Sequence, residues 1–503
     1  TSLINAWPVD DLALDSQLDL NGNLLLYKDT LVVLGNDNKI YGYNVSDPKN
    51  PEKSWEMKID DNSYLVSSRL YNGQVYLITS TYINASNPCP YRPLISDSNS
   101  LEIRCVDIYH PINPSYTDST YTAIALDAQS GEIKDSVSFL GSNYNSLVYM
   151  SANNLYITYA SDMPNFEISY EFFAGSGRDL LPATVFSKLS KLKTYDISYQ
   201  AKELELQTIL SEWQNSLNSD QRLKLENDLQ NKMTDYYKEN QRRFVATGIV
   251  KIALDNMDIS DNGKVPGRPL NQFSLDEYNG NLRVATNIGN NGFGMMFFNS
   301  DQSANDVYVL DDSLKIIGSV KDLGLAEKIY SVRFIEDRGY LVTFKQIDPF
   351  YILDLSNPKN PLMTGELKIP GYSSYLQQLE KNKILGIGME DSKLKLSYFD
   401  VSDPKNPQEI DKYNLDEYGS ETLYDHHAFL LDSEQKIFFL PGYNGGYIFG
   451  YANDKLELLK AVSLSDVKRA LYIENYLYII STNSLIVLDE KNWEEVNDLE
   501  FKK

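Results

Sequence analysis

Along most of the chain, apolar and polar positions alternate with period two in short runs, and turn residues separate the runs. Leu70-Tyr71-Asn72-Gly73-Gln74-Val75-Tyr76 is representative. Asn-Gly between alternating apolar residues is the strongest short-range hairpin signal, because the turn needs positive φ at both central positions. Glu277-Tyr278-Asn279-Gly280-Asn281-Leu282 and Tyr443-Asn444-Gly445-Gly446-Tyr447 follow the same plan. The pattern predicts an all-β chain of short antiparallel strands.

The strands come in a repeat. Tyr43-Asn44-Val45-Ser46-Asp47-Pro48-Lys49-Asn50-Pro51 returns as Leu353-Asp354-Leu355-Ser356-Asn357-Pro358-Lys359-Asn360-Pro361 and as Phe399-Asp400-Val401-Ser402-Asp403-Pro404-Lys405-Asn406-Pro407. The last two copies are 46 residues apart, 353 to 399. A four-stranded propeller blade has a period of roughly 40–45 residues. In each copy a strand runs into a turn that Asp or Asn caps and Pro rigidifies. Weaker copies start at Ala123, Val250, Val307, Tyr447 and Leu485. They divide the chain at about 24–60, 63–141, 146–267, 273–324, 329–371, 375–417, 421–465 and 469–503. The prediction is one domain over 1–503, an eight-bladed β-propeller, or seven blades if a terminal unit is incomplete. Radial repetition buries both faces of each sheet and leaves only short edges.

Two units are enlarged. Residues 82–121 form a loop insertion that carries both cysteines, Cys89 and Cys105. Residues 180–245 change period: Leu204, Leu206, Ile209, Leu210, Trp213 and Leu217, then Leu223, Leu225, Leu229, Met233 and Tyr237, have helical spacing. With Ser219-Asp220 as an N-cap signal, this predicts an αα-hairpin inserted in the third blade, its apolar stripe packed within the molecule.

Composition narrows the function. Forty-six Lys and Arg against 70 Asp and Glu leave a net charge of −24. Such a surface repels nucleic-acid phosphates and anionic membranes, so neither is an expected partner. No apolar run is long enough for a transmembrane helix. An even cysteine count at close spacing points to one disulfide in an oxidising compartment, worth about 3 kcal/mol in the chain-entropy model. The sequons at Asn44 and Asn84 are candidate glycosylation sites and agree with an extracellular or cell-surface location.

Longer motifs carry a family resemblance. The segments NPCPYRPL…IRCVDIYHP, GKVPGRPLNQFSLDEYNGNLRVAT and ETLYDHHAFLLDSEQKIFFLP resemble prokaryotic secreted proteins with a C-terminal β-propeller domain, distantly related to WD40 repeats. The DVSDPKNP segments look like LVIVD-type repeats of surface-exposed propellers. The resemblance implies export and the propeller fold. It implies no activity.

Candidate chemistry is sparse. The three histidines are His110, His426 and His427, and imidazoles suit Zn or Cu. Read as a strand, Asp425-His426-His427 places Asp425 and His427 on one face and His426 on the other. Asp425 and His427, with His110 reaching over from the long insertion, are then the candidate metal or channel ligands. Asp276 and Glu277 occupy the equivalent innermost strand of the fourth unit, with Arg69 and Arg333 near the same register. These four make either a charged channel mouth or inter-blade salt bridges. Calcium suits an acidic exported protein, but no EF-hand loop is present, and Asp255, Asp258 and Asp261 read as a solvated turn. Gly289, Gly292 and Gly294 before Met295-Met296-Phe297-Phe298 match no nucleotide-binding fingerprint and read as a hairpin loop. No nucleophile elbow or zincin helix occurs.

The expectation is a non-catalytic extracellular scaffold or recognition module without a resident cofactor. It binds a protein, an envelope polymer or itself through loops on a rigid ring. The alternatives are a divalent-cation enzyme or sensor (Ca, Zn or Cu) at the central channel, and a structural subunit of a surface layer or filament.

Overall fold

The computed structural model describes residues 1–96, 100–111, 117–289, 303–344 and 348–501. Among the described residues, eight sheets of at least four strands follow one another along the chain, over 22–59, 63–141, 148–266, 275–323, 328–369, 372–415, 430–462 and 467–500, and are called sheets 1 to 8 below. In each, four antiparallel strands lie side by side in chain order. Sheet 1 gains Tyr91–Ile95 and Leu101–Ile103 at its outer edge, and sheet 2 gains Ile108–Tyr109.

The burial pattern explains the arrangement. The second strand of sheet 1, Thr30–Gly35, is buried at Thr30, Leu31, Val32, Val33 and Leu34 without alternation. A strand reads so when both of its faces are covered. The covers are the neighbouring sheets. Val32 and Leu34 pack with Val75 and Leu77 of sheet 2, and Tyr76 and Ile78 pack with Leu155 and Ile157 of sheet 3. Apolar layers continue to Phe439 and Ile448 against Leu477 and Ile479, between sheets 7 and 8. The N-terminal segment joins the ends. Its strands Ser2–Asn5 and Ala13–Gln17 pair with each other. Val9 packs with Tyr478, Leu485 and Val487 of sheet 8, whereas Leu18 and Leu20 pack against Leu31, Val33 and Tyr41 of sheet 1. The result is a propeller-like ring.

The repeated turn is a packing device. Asp47, Asn357 and Asp403 each accept the backbone N–H two residues on. The carbonyl of Pro404 abuts Gly365 in the outer strand of the preceding sheet, where a Cβ would overlap it. The Pro48 carbonyl instead accepts from Ser16 Oγ of the N-terminal hairpin at 2.6 Å. The hairpin thus stands where a preceding sheet would present its outer strand.

Antiparallel order sorts the connections onto two faces. Turns between first and second strands, and between third and fourth, emerge on one face, and none of them exceeds the seven residues of 45–51. Connections between second and third strands, and from sheet to sheet, emerge on the other. Among the described residues that face carries the segments 83–96, 100–111, 161–245 and 416–429.

The segment 161–245 is larger than the hairpin expected over 180–245. It holds four helices: α1 (Asn165–Ala174), α2 (Ala183–Lys193), α3 (Tyr199–Asn215) and α4 (Ser219–Phe244). Aromatic Phe166, Phe172 and Phe173 give the first helix a strand-like composition, so its period is masked. Pro164 and Pro182 stand at the N-caps of α1 and α2, where no N–H is needed. The cap of α4 is Asn218, in a capping box with Gln221, rather than Ser219-Asp220. The helices share a core of Phe172, Leu189, Leu206, Ile209, Met233 and Phe244. The insertion is also clamped to the ring. Arg242 reaches Asp306 at 2.8 and 3.0 Å and Asp322 at 2.7 Å, and Asp306 is fully buried.

Candidate functional site

The first strands of sheets 2 to 6 converge on the centre of the ring, where two adjoining cavities of about 290 and 490 Å³ share Arg69, Gln272 and Phe273. Arg69 lies on the first strand of sheet 2, and Arg333 on that of sheet 5. Gln272 and Phe273 belong to a 3₁₀ turn, Gln272–Ser274, that precedes sheet 4 and projects among the other sheets. A capping box holds it: Asn271 Oδ1 accepts from Phe273 N at 3.0 Å, and Ser274 Oγ from Asn271 N at 3.4 Å. Arg69 donates to Gln272 Oε1 at 2.5 Å, and the Arg333 guanidinium lies 5.1 Å over the Phe273 ring. Phe273 also meets His426 edge-on, centroids 5.0 Å apart.

The structure corrects the strand reading of Asp425-His426-His427. His426–Ala428 is a 3₁₀ turn, with Asp425 at its N-cap accepting from His427 N at 3.0 Å. A three-residue-per-turn helix does not alternate faces. The two imidazole centroids are therefore 3.9 Å apart, and one ligand-type atom from each of the three residues lies within 4.8 Å of the others. Among the described residues this is the group that has the donors for a metal ion. His110 is not in it. It follows Ile108–Tyr109, which pairs with the outermost strand of sheet 2, across the sheet from Arg69. Its Nδ1 is 3.1 Å from the Pro111 carbonyl.

Burial first, then His427, Arg69 and Arg333, push the His426 imidazole down to about 4, so it is neutral near pH 7. The acids of the fourth unit serve the wall. Asp276 accepts from Arg283, with Nε to Oδ2 at 2.9 Å, while the Arg283 side chain is almost wholly buried. Glu277 bridges to sheet 3 and accepts from Ser151 at 2.6 Å, Tyr156 at 2.9 Å and Asn154 at 3.1 Å.

The remaining sequence candidates lie away from the centre. Cys89 and Cys105 stand at disulfide distance, with Cα atoms 5.5 Å apart, in the long connection of sheet 2. Asn44 and Asn84 are exposed, and each caps its own turn by accepting from Ser46 N and Ser86 N. Gly292, Gly294 and Met295 to Phe298 lie outside the described residues. The Gln272–Ser274 turn was not singled out in the sequence, although Asn-Gln-Phe-Ser is a legible capping signal. Nothing in a local pattern says that such a turn will meet sheets 2, 5 and 6 and the His426 turn.

A ring of radial antiparallel sheets around a polar centre defines the class of the protein. It belongs to the beta propeller domain family, whose model matches residues 2–493. An uncharacterized protein of Archaeoglobus fulgidus is 45% identical over 502 residues, covering 100% of this chain and 78% of that protein. An uncharacterized protein of Methanocaldococcus jannaschii is 40% identical over 488 residues, covering 96% and 75%. A solved eukaryotic initiation factor structure is similar in fold at 9% identity, with a TM-score of 0.50 over 100% of this chain and 94% of that one. Among the described residues no helix is long and apolar enough to cross a membrane.

Proposed function

We propose that this protein is a non-catalytic recognition scaffold, an eight-bladed propeller that binds a protein or an envelope polymer outside the cytoplasm. The observation that carries this reading is the asymmetry of the two faces. Among the described residues every long connection emerges on one face, and so do the five most exposed tyrosines, Tyr424 (85%), Tyr418 (82%), Tyr443 (60%), Tyr144 and Tyr82. Tyrosine gives amphipathic contact area at low conformational cost, and contiguous exposed aromatics mark interaction surfaces. The cysteine pair and the two exposed sequons support the location.

The test is crosslinked capture from the native cell surface with the parent chain and a Tyr418→Ser, Tyr424→Ser, Tyr443→Ser variant. Loss of a partner from the variant, with retention in a Lys49→Ser, Lys405→Ser control on the opposite face, is the expected result. Identical capture by all three proteins would overturn the reading.

A second reading follows from the Asp425, His426 and His427 group: a divalent-cation site beside the channel. Elemental analysis of native protein checks it. Stoichiometric Zn, Cu or Ca that is lost in His427→Ala would establish the site.

A further inference from the structure

The charges at the centre of the ring do not balance, and the imbalance has the opposite sign to the molecule. The chain carries −24. Six of its arginines, Arg92, Arg104, Arg242, Arg243, Arg268 and Arg283, each hold a carboxylate. Arg69, Arg178, Arg222, Arg333, Arg338 and Arg469 form no ion pair among the described residues, and of these six Arg69 and Arg333 are the two that line the central cavities. Arg69 donates to neutral acceptors, Ser67 Oγ at 2.9 Å, the Ser68 carbonyl at 2.7 Å and Gln272 Oε1. Arg333 rests on the face of Phe273. Both line the 490 Å³ cavity, and both are partly withdrawn from solvent. Burial holds the Arg69 pKa below its ordinary value.

The acids at hand are occupied. Asp276, in the same wall, is committed to Arg283, and Glu277 to three side chains of sheet 3. Asp425 caps the next turn and lines neither cavity. A half-buried guanidinium without a counter-ion is unfavourable unless something supplies one. Its planar fork matches the two oxygens of a carboxylate or phosphate.

We propose that the central cavity binds a small organic molecule through an oxyanion group, held by Arg69 and Arg333, with Gln272 and Phe273 as the wall on which it rests. The cavity has the size of a small-ligand site. It is built from five segments far apart in sequence, so the ring must be intact for binding. The site lies in the channel and recognises charge rather than surface shape, and of the loop-face residues Tyr418, Tyr424 and Tyr443 it is Tyr424 that lines the adjoining cavity.

The test is calorimetric titration of the full chain at low ionic strength with succinate and with inorganic phosphate, and with succinamide as the neutral control. One saturable site for either anion, and none for succinamide, is the expected result. The stronger of the two anions assigns the group as carboxylate or phosphate. Arg333→Gln and Arg69→Gln should each weaken binding roughly tenfold or more, since each removes a charge-assisted contact. Arg92→Gln, an exposed pair with Glu102, should leave it unchanged. Arg333 makes no described hydrogen bond within the fold, so its variant keeps the test informative if Arg69→Gln unfolds. No saturable binding of either anion up to about 10 mM, tenfold above a millimolar Kd, would overturn the proposal. So would equal binding by the parent and Arg333→Gln.

Discussion

The two faces of the ring are made from the same strands and have opposite characters. On one face every connection is short, and turn chemistry specifies it. Asn72 and Asn279 adopt φ of 50° and 51° in Asn-Gly hairpins, and Asp47, Asn357 and Asp403 close the longer turns. On the other face the connections range from Asp391-Ser392 to the four-helix insertion over 161–245. The first face repeats because each turn must pack against the sheet before it. The second is free to vary because its loops meet solvent. What differs between sheets is therefore concentrated there, and recognition is expected there.

The largest expected break in this comparison is Arg242→Ala. It leaves Asp306 buried without its cation, with only Tyr308 donating to it at 2.6 Å and the Asp322 N–H at 3.0 Å. Breaking one partner of a buried pair costs about 3–5 kcal/mol. A urea titration should show that loss, and limited proteolysis should show cleavage within 161–245. Arg242→Lys should recover part of both. A loss under about 1 kcal/mol would mean that the insertion is not anchored through this pair.

Gly365→Ala probes the short-turn face. The added methyl meets the Pro404 carbonyl, which belongs to a tightly held turn. Overpacking of this kind costs about 1–3 kcal/mol. Gly280→Ala has open space around its Cβ, so it should show only the cost of its φ of 74°. Equal losses in the two variants would remove the packing account of the repeat.

Glu490→Gln gives the smallest change, with a pH signature. Burial first, then Asp432 and Asp489, raise the Glu490 carboxyl to about 7. Its Oε1 is buried without a hydrogen-bond partner among the described residues. The folded chain then binds more protons than the unfolded chain between the ordinary carboxyl value and about 7. Its stability falls as pH rises through that window. Glu490→Gln should gain about 1 kcal/mol near pH 8, after allowance for partial exposure. The gain should vanish below about pH 4.5. Thermal melts across that range check it, and a pH-independent difference would assign the effect to something other than the carboxyl.

Much of the site was legible, and the failures have a common cause. Repeat register alone puts Arg69, Arg333, Asp276 and Glu277 on innermost strands; the first three line the cavity, whereas Glu277 is turned to sheet 3. The ion pair of Asp276 with Arg283 was not readable, since it depends on cross-strand pairing between Asp276 and Arg283. Asp425-His426-His427 was misassigned as strand because the apolar run after it begins only at Phe429. The Asp N-cap that turns it into a 3₁₀ segment is a weak local signal. His110 was drawn toward the channel by its loop, but parallel pairing of Ile108–Tyr109 holds that loop at the outer edge.

By itself the sequence determined the repeat, the strand period, the turns and the all-β propeller class, because these rest on interactions between residues close along the chain. It also determined the sign of the molecular surface. Only the tertiary structure decided that the N-terminal hairpin joins sheets 1 and 8, that four helices share one core, and that two arginines at the centre lack carboxylate partners among the described residues. Those outcomes depend on which distant groups fill the same space, and on whether a charge finds its opposite there.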